Sequence, residues 1–415
     1  MFPEKKIKAM LLIGLTVCMV GHVNAAIVDN PYAPDSTQEA VIRIADELVA
    51  QQALGVGGAW PSRGAVSAGR FTGTMAAGLV DAYQMTCNPA YLTAAEAAGD
   101  WIMANAAGCS LFYDEVYALM RLSETTCDPG DNIWRTAMED FYLCAESQPY
   151  DSANGLAGTE WVIDYLEQVQ GIPMVVFEVA HYTVGAYYVD SPDKVIWRDA
   201  LIRLLEDCNA ANSEQIWMLG TATWALAQTG DLDETAIYVG SPLSDVADPA
   251  ETLAELPPLL AAYQVPDSDT YFGSHFLNIY NPVNNSFSGF TETNIYAAMG
   301  LAAATQYAGF DYRDAMDRVW VANMQPVDDD GNVDYDAINI PPTEDSQKYF
   351  HYAGEYLQYL AATRLPGDTN LNDSVDLNDL IFITNRWLDP LDCDECSRAD
   401  LNHDHVVNLA DVVVI

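Results

Sequence analysis

The 415-residue chain reads as an all-α protein: an (α/α)6 toroid of about twelve helices, then a small calcium-loop/helix module. Three observations predict this. An apolar, Ala-rich helical segment recurs six times with one kind of ending. After several of these, a short turn leads into a more polar helix that opens aromatic-x-x-Ala. The last fifty residues carry one twelve-residue pattern of oxygen side chains twice.

Residues 1–25 have the form of a secretory signal. Lys5, Lys6 and Lys8 precede the apolar run Ala9–Val20, and Val23-Asn24-Ala25 is a small-residue cleavage site. The run is too short to span a bilayer. Val17 before Cys18 argues against a lipoprotein signal, so the protein is expected to be secreted or extracytoplasmic. Removing the signal takes away three lysines and one glutamate, which moves the net charge from −43 to −45. Half the residues are hydrophobic, so this is a folded acidic protein and not a disordered acidic tail. Such charge disfavours nucleic acids and anionic membranes.

The first outer helix is expected over 37–54, with Val41, Ile42, Ile44, Ala45, Leu48 and Val49 as its apolar stripe. The six repeated segments finish Ala82–Thr86, Leu119–Ser123, Ala186–Asp190, Ala225–Thr229, Ala303–Tyr307 and Tyr359–Thr363. The aromatic-x-x-Ala openings are Tyr91–Ala94, Trp134–Ala137, Trp197–Ala200 and Tyr312–Ala315. A helix apolar all round, alternating with one apolar on a single stripe, suits two concentric layers. The toroid domain is assigned to 26–365, and the same hairpins could also stack as an open α-solenoid. Extra length at roughly 147–172, 240–289 and 325–348 is rich in Pro, Gly, Asp and Asn and is read as long surface loops.

Residues 366–415 form the second domain. Its first loop offers Asp368, Asn370, Asn372, the carbonyl of Ser374, Asp376 and Asp379. The second offers Asp400, Asn402, Asp404, the carbonyl of Val406, Asn408 and Asp411. A hard cation needs six to eight oxygens, and alternate residues of a tight loop supply them, so calcium is expected at two sites. Ordinary EF-hands close on Glu where both loops here have Asp, and Asp373 and His405 replace the usual Gly. The run Leu380–Ile383 continues the first loop as a helix, while Val412–Ile415 leave the second repeat incomplete and its site weaker.

This loop–helix duplicate resembles a type I dockerin, the module that ties secreted polysaccharide-degrading enzymes to cohesin domains. The resemblance covers residues 367–415 and implies a cohesin-type partner. Leu377–Asn378 and Leu409–Ala410, at the partner-reading positions, differ between the two halves. A second, shorter resemblance supports the toroid. Gln52–Trp60 is similar to the Gln…Gly-x-Trp turn of squalene cyclases and prenyltransferase-like repeats, and with Pro61 it resembles the Gly-Gly-Trp-Pro turn of some all-helical pectate lyases. No Asp-x-Asp-Asp cyclase acid is present.

In toroid glycosidases and lyases of this resemblance the substrate sits at the N-terminal ends of the inner helices. Here those ends carry Arg70, Phe71 and Thr72; Tyr113, Asp114 and Glu115; Glu178 and His181; Trp217; Glu292 and Asn294; and Tyr349, His351 and Glu355. Asp114, Glu115, Glu178 and His181 are the catalytic candidates. Glycoside cleavage needs one protonated and one ionised carboxyl group, and Asp114 or Glu115 with Glu178 could form that pair. A lyase would rely more on Arg70 and His181. An isolated Glu or His on a buried helix can equally be a hydrogen-bonded core residue.

Smaller signals point less far. Asp328-Asp329-Asp330-Gly331-Asn332 is an acidic turn that could take a third calcium. Cys393, Cys396, His403 and His405 have zinc-like spacing, but in an exported protein the cysteines suit a disulfide. With Cys87, Cys109, Cys127, Cys144 and Cys208 the mature count is seven, an odd number. The functional expectation is an exported glycoside hydrolase or polysaccharide lyase bearing a dockerin-like module. The competing expectation is a non-catalytic toroid that binds a glycan or a protein.

Overall fold

A computed structural model describes residues 34–62, 67–106, 110–125, 132–170, 172–206, 215–233, 250–266, Phe276, 291–324, 350–365, 367–372, 374–385 and Val407. The signal segment 1–25 and the acidic turn 328–332 lie outside these residues. So do Cys393, Cys396, His403, His405 and the six ligands expected of the second calcium loop. The described residues form fourteen α-helices and no β-strand. None of these helices is long and apolar enough to cross a membrane.

The helices are α1 (Thr37–Gln52), α2 (Thr72–Thr86), α3 (Pro89–Asn105), α4 (Tyr113–Glu124), α5 (Ile133–Glu146), α6 (Gly158–Val169) and α7 (Ile172–Tyr188). They continue as α8 (Lys194–Glu206), α9 (Gln215–Thr229), α10 (Leu256–Ala262), α11 (Thr291–Ala308), α12 (Arg313–Met324), α13 (Phe350–Thr363) and α14 (Leu377–Asn385). The six recurring endings fall at the ends of α2, α4, α7, α9, α11 and α13. These six hold most of the core; in α2 every residue from Thr72 to Tyr83 is buried. Each packs on the next: α2 on α4, α4 on α7, α7 on α9, α9 on α11, α11 on α13, and α13 back on α2.

Small residues set how close these helices come. A Cβ on Gly354 would lie 2.6 Å from the carbonyl oxygen of Thr74 on α2. A Cβ on Gly300 would lie 2.6 Å from the carbonyl oxygen of Gly220 on α9. Any side chain at either position would push two backbones apart.

The remaining helices each present one apolar stripe to this group. In α1, Val41, Ile44, Ala45 and Leu48 are fully buried, whereas Ile42, expected in the stripe, is 38% exposed. Ser36 caps the helix by accepting from the Glu39 N–H, and Glu39 accepts from the Asp35 N–H in return. Tyr91, Trp134 and Trp197, the aromatics opening α3, α5 and α8, are buried, and Tyr312 is partly buried before α12. Asn132 caps α5 and donates to the Ser123 carbonyl, which ties α5 to the end of α4.

Two stretches read as loops contain helices. Residues 147–172 hold α6, which buries Thr159 and Ile163 and stacks Trp161 on Tyr165. Within 240–289 a 3-10 turn, Leu253–Glu255, leads into α10, which packs between α9 and α11. Pro257 and Pro258 occupy its first turn, where the missing N–H has no helical partner to lose.

The turn after α1 is built by the residues its sequence singled out. Gln52 Nε2 donates to the carbonyls of Gly58, at 2.6 Å, and Ala94, at 2.8 Å. Trp60 is buried and its Nε1–H donates to the Leu48 carbonyl at 2.9 Å. Gly58 has φ +97°, and its Cα faces the Ala97 carbonyl so closely that a Cβ would collide with it. The segment thereby bolts α1 to α3. Cys87 and Cys144 are each disulfide-bonded.

Candidate functional site

The six core helices run in the same direction, so their N-termini gather at one end. Thr74 N–H, in the first turn of α2, donates to Asp114 Oδ2 in the first turn of α4 at 3.3 Å. Gly73 makes this approach feasible, because any side chain there would strike the backbone of Asp114. Asp114, Glu178 and Glu355 are 6%, 5% and 3% exposed, and each comes from a different helix.

Their environments push the proton affinities up by different amounts. Burial raises Asp114 to about 6, opposed by backbone N–H groups of Thr74, Asp114, Glu115 and Gly73. Burial raises Glu178 to about 7, with repulsion from Asp114 adding to it and Arg70 opposing it. Glu355 is pushed well above the carboxylate range by burial and then by Glu292, while a hydrogen bond with Tyr296 acts the other way. Gln170 Nε2 donates to Glu178 Oε1 at 3.3 Å. Glu178 Oε2, Glu355 Oε2 and Trp217 Nε1 are buried and make no hydrogen bond among the described residues. A buried polar atom without a partner costs about 1–3 kcal/mol, so three at one end of the helix group mark a place where a polar ligand would be welcome.

Glu115 is differently employed. Its Oε2 accepts from the Phe112 N–H at 2.9 Å and so caps α4. Burial and the neighbouring Asp114 raise it to about 8. His181 lies deeper, with its ring 4.5 Å from Phe177, 5.0 Å from Trp224 and 5.4 Å from both Tyr113 and Tyr117. Its Nδ1–H donates to the Phe177 carbonyl at 2.8 Å, and burial lowers its pKa to about 4, so the ring is neutral at pH 7.

Above His181, Phe177 stacks on Trp217 at 4.8 Å and meets Tyr296 edge-on at 4.9 Å. Arg70 is exposed, with its guanidinium over the Phe71 ring at 4.8 Å. Phe276 is fully buried and its N–H donates to Asn294 Oδ1 at 2.8 Å, so one residue of the long 240–289 connection comes down onto this end. Tyr349 lies outside the described residues. Glu355, an inner-helix residue outside the four catalytic candidates of the sequence, shares the environment of Asp114 and Glu178. Nothing local in the sequence distinguishes Gln170 from any polar residue at a helix end.

The first loop expected to hold calcium closes around Asp379, which is fully buried. Asp379 Oδ1 accepts from the Thr369 N–H at 2.8 Å, the Thr369 hydroxyl at 2.9 Å and the Asn370 N–H at 3.3 Å. Its Oδ2 accepts from the Asp376 N–H at 2.9 Å. Burial is the largest single influence and pushes Asp379 up, but these bonds together outweigh it and hold the group below the usual range. Asp368 Oδ1 and Asn370 Oδ1 both accept from the Asn372 N–H, and Asn372 Oδ1 accepts from the Ser374 N–H. The loop therefore folds back so that its twelfth residue meets its second and third. This donor set is all oxygen and suits a hard cation. Among the described residues, no group of three or more His, Cys, Asp and Glu side chains gathers as a metal site. Leu377, which the dockerin resemblance would make a partner-reading residue, is 68% exposed.

No known family model fits the chain, and no curated protein is significantly similar to it.

Proposed function

We propose that the chain is an exported carbohydrate-active enzyme of the glycoside-hydrolase type. In this reading the helical domain is an (α/α)6 toroid and residues 366–415 are a dockerin-like module for cohesin attachment. Support for the toroid comes from the cyclic neighbour order of α2, α4, α7, α9, α11 and α13. Around them α1, α3, α5, α8, α10 and α12 supply six outer helices, and α6 is an addition between α5 and α8.

The observation that carries the catalytic reading is the pair Asp114 and Glu178. Two buried carboxyl groups repel one another, and unequal hydrogen bonding sets their proton affinities apart. Asp114 ionises first because two helix N-termini present N–H groups to it. Glu178 keeps its proton to higher pH, with Oε2 available for a ligand. Glu178 would donate that proton to the glycosidic oxygen as the bond to the anomeric carbon breaks. Asp114 would face the developing positive charge and either take a proton from the attacking water or bond to the anomeric carbon itself. Glu355, whose proton affinity burial raises, would donate a hydrogen bond to a sugar hydroxyl when protonated. Tyr113, Trp217 and Tyr296 offer ring edges and faces to the sugar.

Calcium would be held in the first loop by Asp368, Asn370, Asn372, the Ser374 carbonyl, Asp376 and Asp379. It would neutralise the three carboxylates there and fix the start of α14.

A second reading rests on a specific observation. The rings of Tyr113, Phe177, His181, Trp217 and Tyr296 pack closely beneath the carboxylates, which suits a filled, non-catalytic toroid. A screen on plant and algal polysaccharides separates the two, read by reducing ends and by absorbance of unsaturated products. The hydrolase reading expects new reducing ends without unsaturated products, lost in Glu178→Gln and in Asp114→Asn. Unsaturated products would assign a lyase. No cleavage by a folded protein of any polysaccharide in the panel would favour the binding reading.

A further inference from the structure

The opposite end of the same six helices holds a cavity of about 700 Å³. That volume lies within the range of roughly 300–1,000 Å³ usual for small-molecule sites. Its floor is Tyr117 and Trp224, which meet edge-to-face at 5.3 Å. Arg121 and Gln228 line it one helical turn further along α4 and α9. Tyr117 and Trp224 both touch His181 on their other side, so an aromatic plug separates this cavity from the carboxylate end.

The lining is unusual for this chain. Acids outnumber bases 60 to 17 overall, yet three arginines and two carboxylates face the cavity. Arg121 is consumed internally: it pairs with Asp81 and Glu124 and donates to Gln84 Oε1 at 2.7 Å. Arg313 donates from Nη1 to the Thr363 carbonyl at 3.1 Å and keeps its other donors. The Arg364 side chain makes no hydrogen bond or ion pair among the described residues, although Asp81 and Asp368 attract it from a distance. A planar guanidinium with its donors uncommitted is suited to grip a carboxylate with two parallel bonds.

The other polar walls are amides. Gln84 and Gln358 are held in place through Arg121 and through the Thr74 carbonyl, which leaves the far end of each amide for a ligand. Gln228 and Gln306 add two more. Amides both donate and accept, as a polyhydroxylated ligand requires. An apolar aromatic floor, amide walls and two arginines with spare donors define a ligand with an apolar face, several hydroxyls and one carboxylate.

We propose that this cavity is a binding site for a hexuronate, a carboxylated pyranose sugar, separate from the carboxylate end of the toroid. The site needs no catalysis at the other end and stands or falls by itself. Calorimetric titration of the full chain with galacturonate and glucuronate tests it, with galactose and acetate as controls. The expected result is saturable binding of at least one uronate. Galactose and acetate should each bind about tenfold more weakly or worse, because one lacks the charge and the other the ring. Arg364→Gln should weaken uronate binding about tenfold or more while leaving helical circular dichroism intact. Should that variant fail to fold, Arg313→Gln carries the same expectation. Glu178→Gln should bind the uronate as the parent does. The proposal falls if neither uronate binds, or if galactose binds equally well. It also falls if the folded arginine variants bind unchanged, or if Glu178→Gln abolishes binding, which would put the ligand at the other end.

Discussion

Raising the pH should destabilise this protein through Glu178, and the size of the effect follows from its surroundings. The side chain is 5% exposed, and its pKa rises from 4.5 to about 7 on folding. Between those values the folded protein holds a proton that the unfolded chain has released. Stability from this group is therefore complete below pH 4.5 and is lost as the pH climbs through about 7. At roughly 1.4 kcal/mol per pH unit, the loss by pH 8 is at most about 3 kcal/mol. Glu178→Gln removes the titration, and its amide oxygen can still accept from Gln170. Urea denaturation of parent and variant at pH 5 and pH 8 measures the difference. The parent should lose about 2–3 kcal/mol more than the variant over that interval. If both lose the same amount, Glu178 is not buried beside Asp114 as described, and its role as a proton donor goes with it. Where a substrate is in hand, the same variant should lose turnover by orders of magnitude, with the alkaline limb of the parent's profile near pH 7.

Other outcomes test other parts of the molecule. Gly354→Ala drives a methyl toward the Thr74 carbonyl and should cost about 1–3 kcal/mol, seen as a lower melting temperature with the helical spectrum retained. Gln52→Ala leaves two carbonyls without their donor and should cost about 1–3 kcal/mol, measurable by thermal denaturation. Arg121→Ala strands Asp81 in the interior and should destabilise by about 3–5 kcal/mol, more than Arg121→Lys, with urea midpoints as the readout. Calcium titration of the full chain should show a tighter and a weaker event. Asp368→Ala and Asp379→Ala should each abolish the tighter one, whereas Asp400→Ala should spare it. Equal affinities, or a helical signal indifferent to a chelator, would refute that assignment.

The legible part of this protein is whatever repeats locally. Six helix endings and four aromatic-x-x-Ala openings announce themselves because helical periodicity and small-residue content are properties of short windows. The same holds for Gln52 and Trp60, whose turn forms within a dozen residues and one neighbouring helix. The twelve-residue loop at 368–379 is readable because its bonds, such as those from Thr369 and Asn370 to Asp379, stay within the loop. Helices α6 and α10 were hidden because each has a short buried stripe and flanks rich in turn residues. Prolines in the first turn of α10 look like breakers until the cap is seen.

What the sequence could not settle is decided by neighbours distant along the chain. Asp114, Glu115, Glu178 and Glu355 are alike as letters. Glu115 caps its own helix from three residues away, but only packing sets Asp114 against the N–H groups of α2 and leaves one oxygen of Glu178 and one of Glu355 without a partner among the described residues. The cavity beyond the aromatic plug has no local signature either, since its arginines come from positions 121, 313 and 364. Periodicity fixes helices because backbone hydrogen bonds reach only four residues. Proton affinity and ligand fit depend on desolvation and charge summed over every segment that folding brings within a few ångströms, so tertiary structure alone decides them.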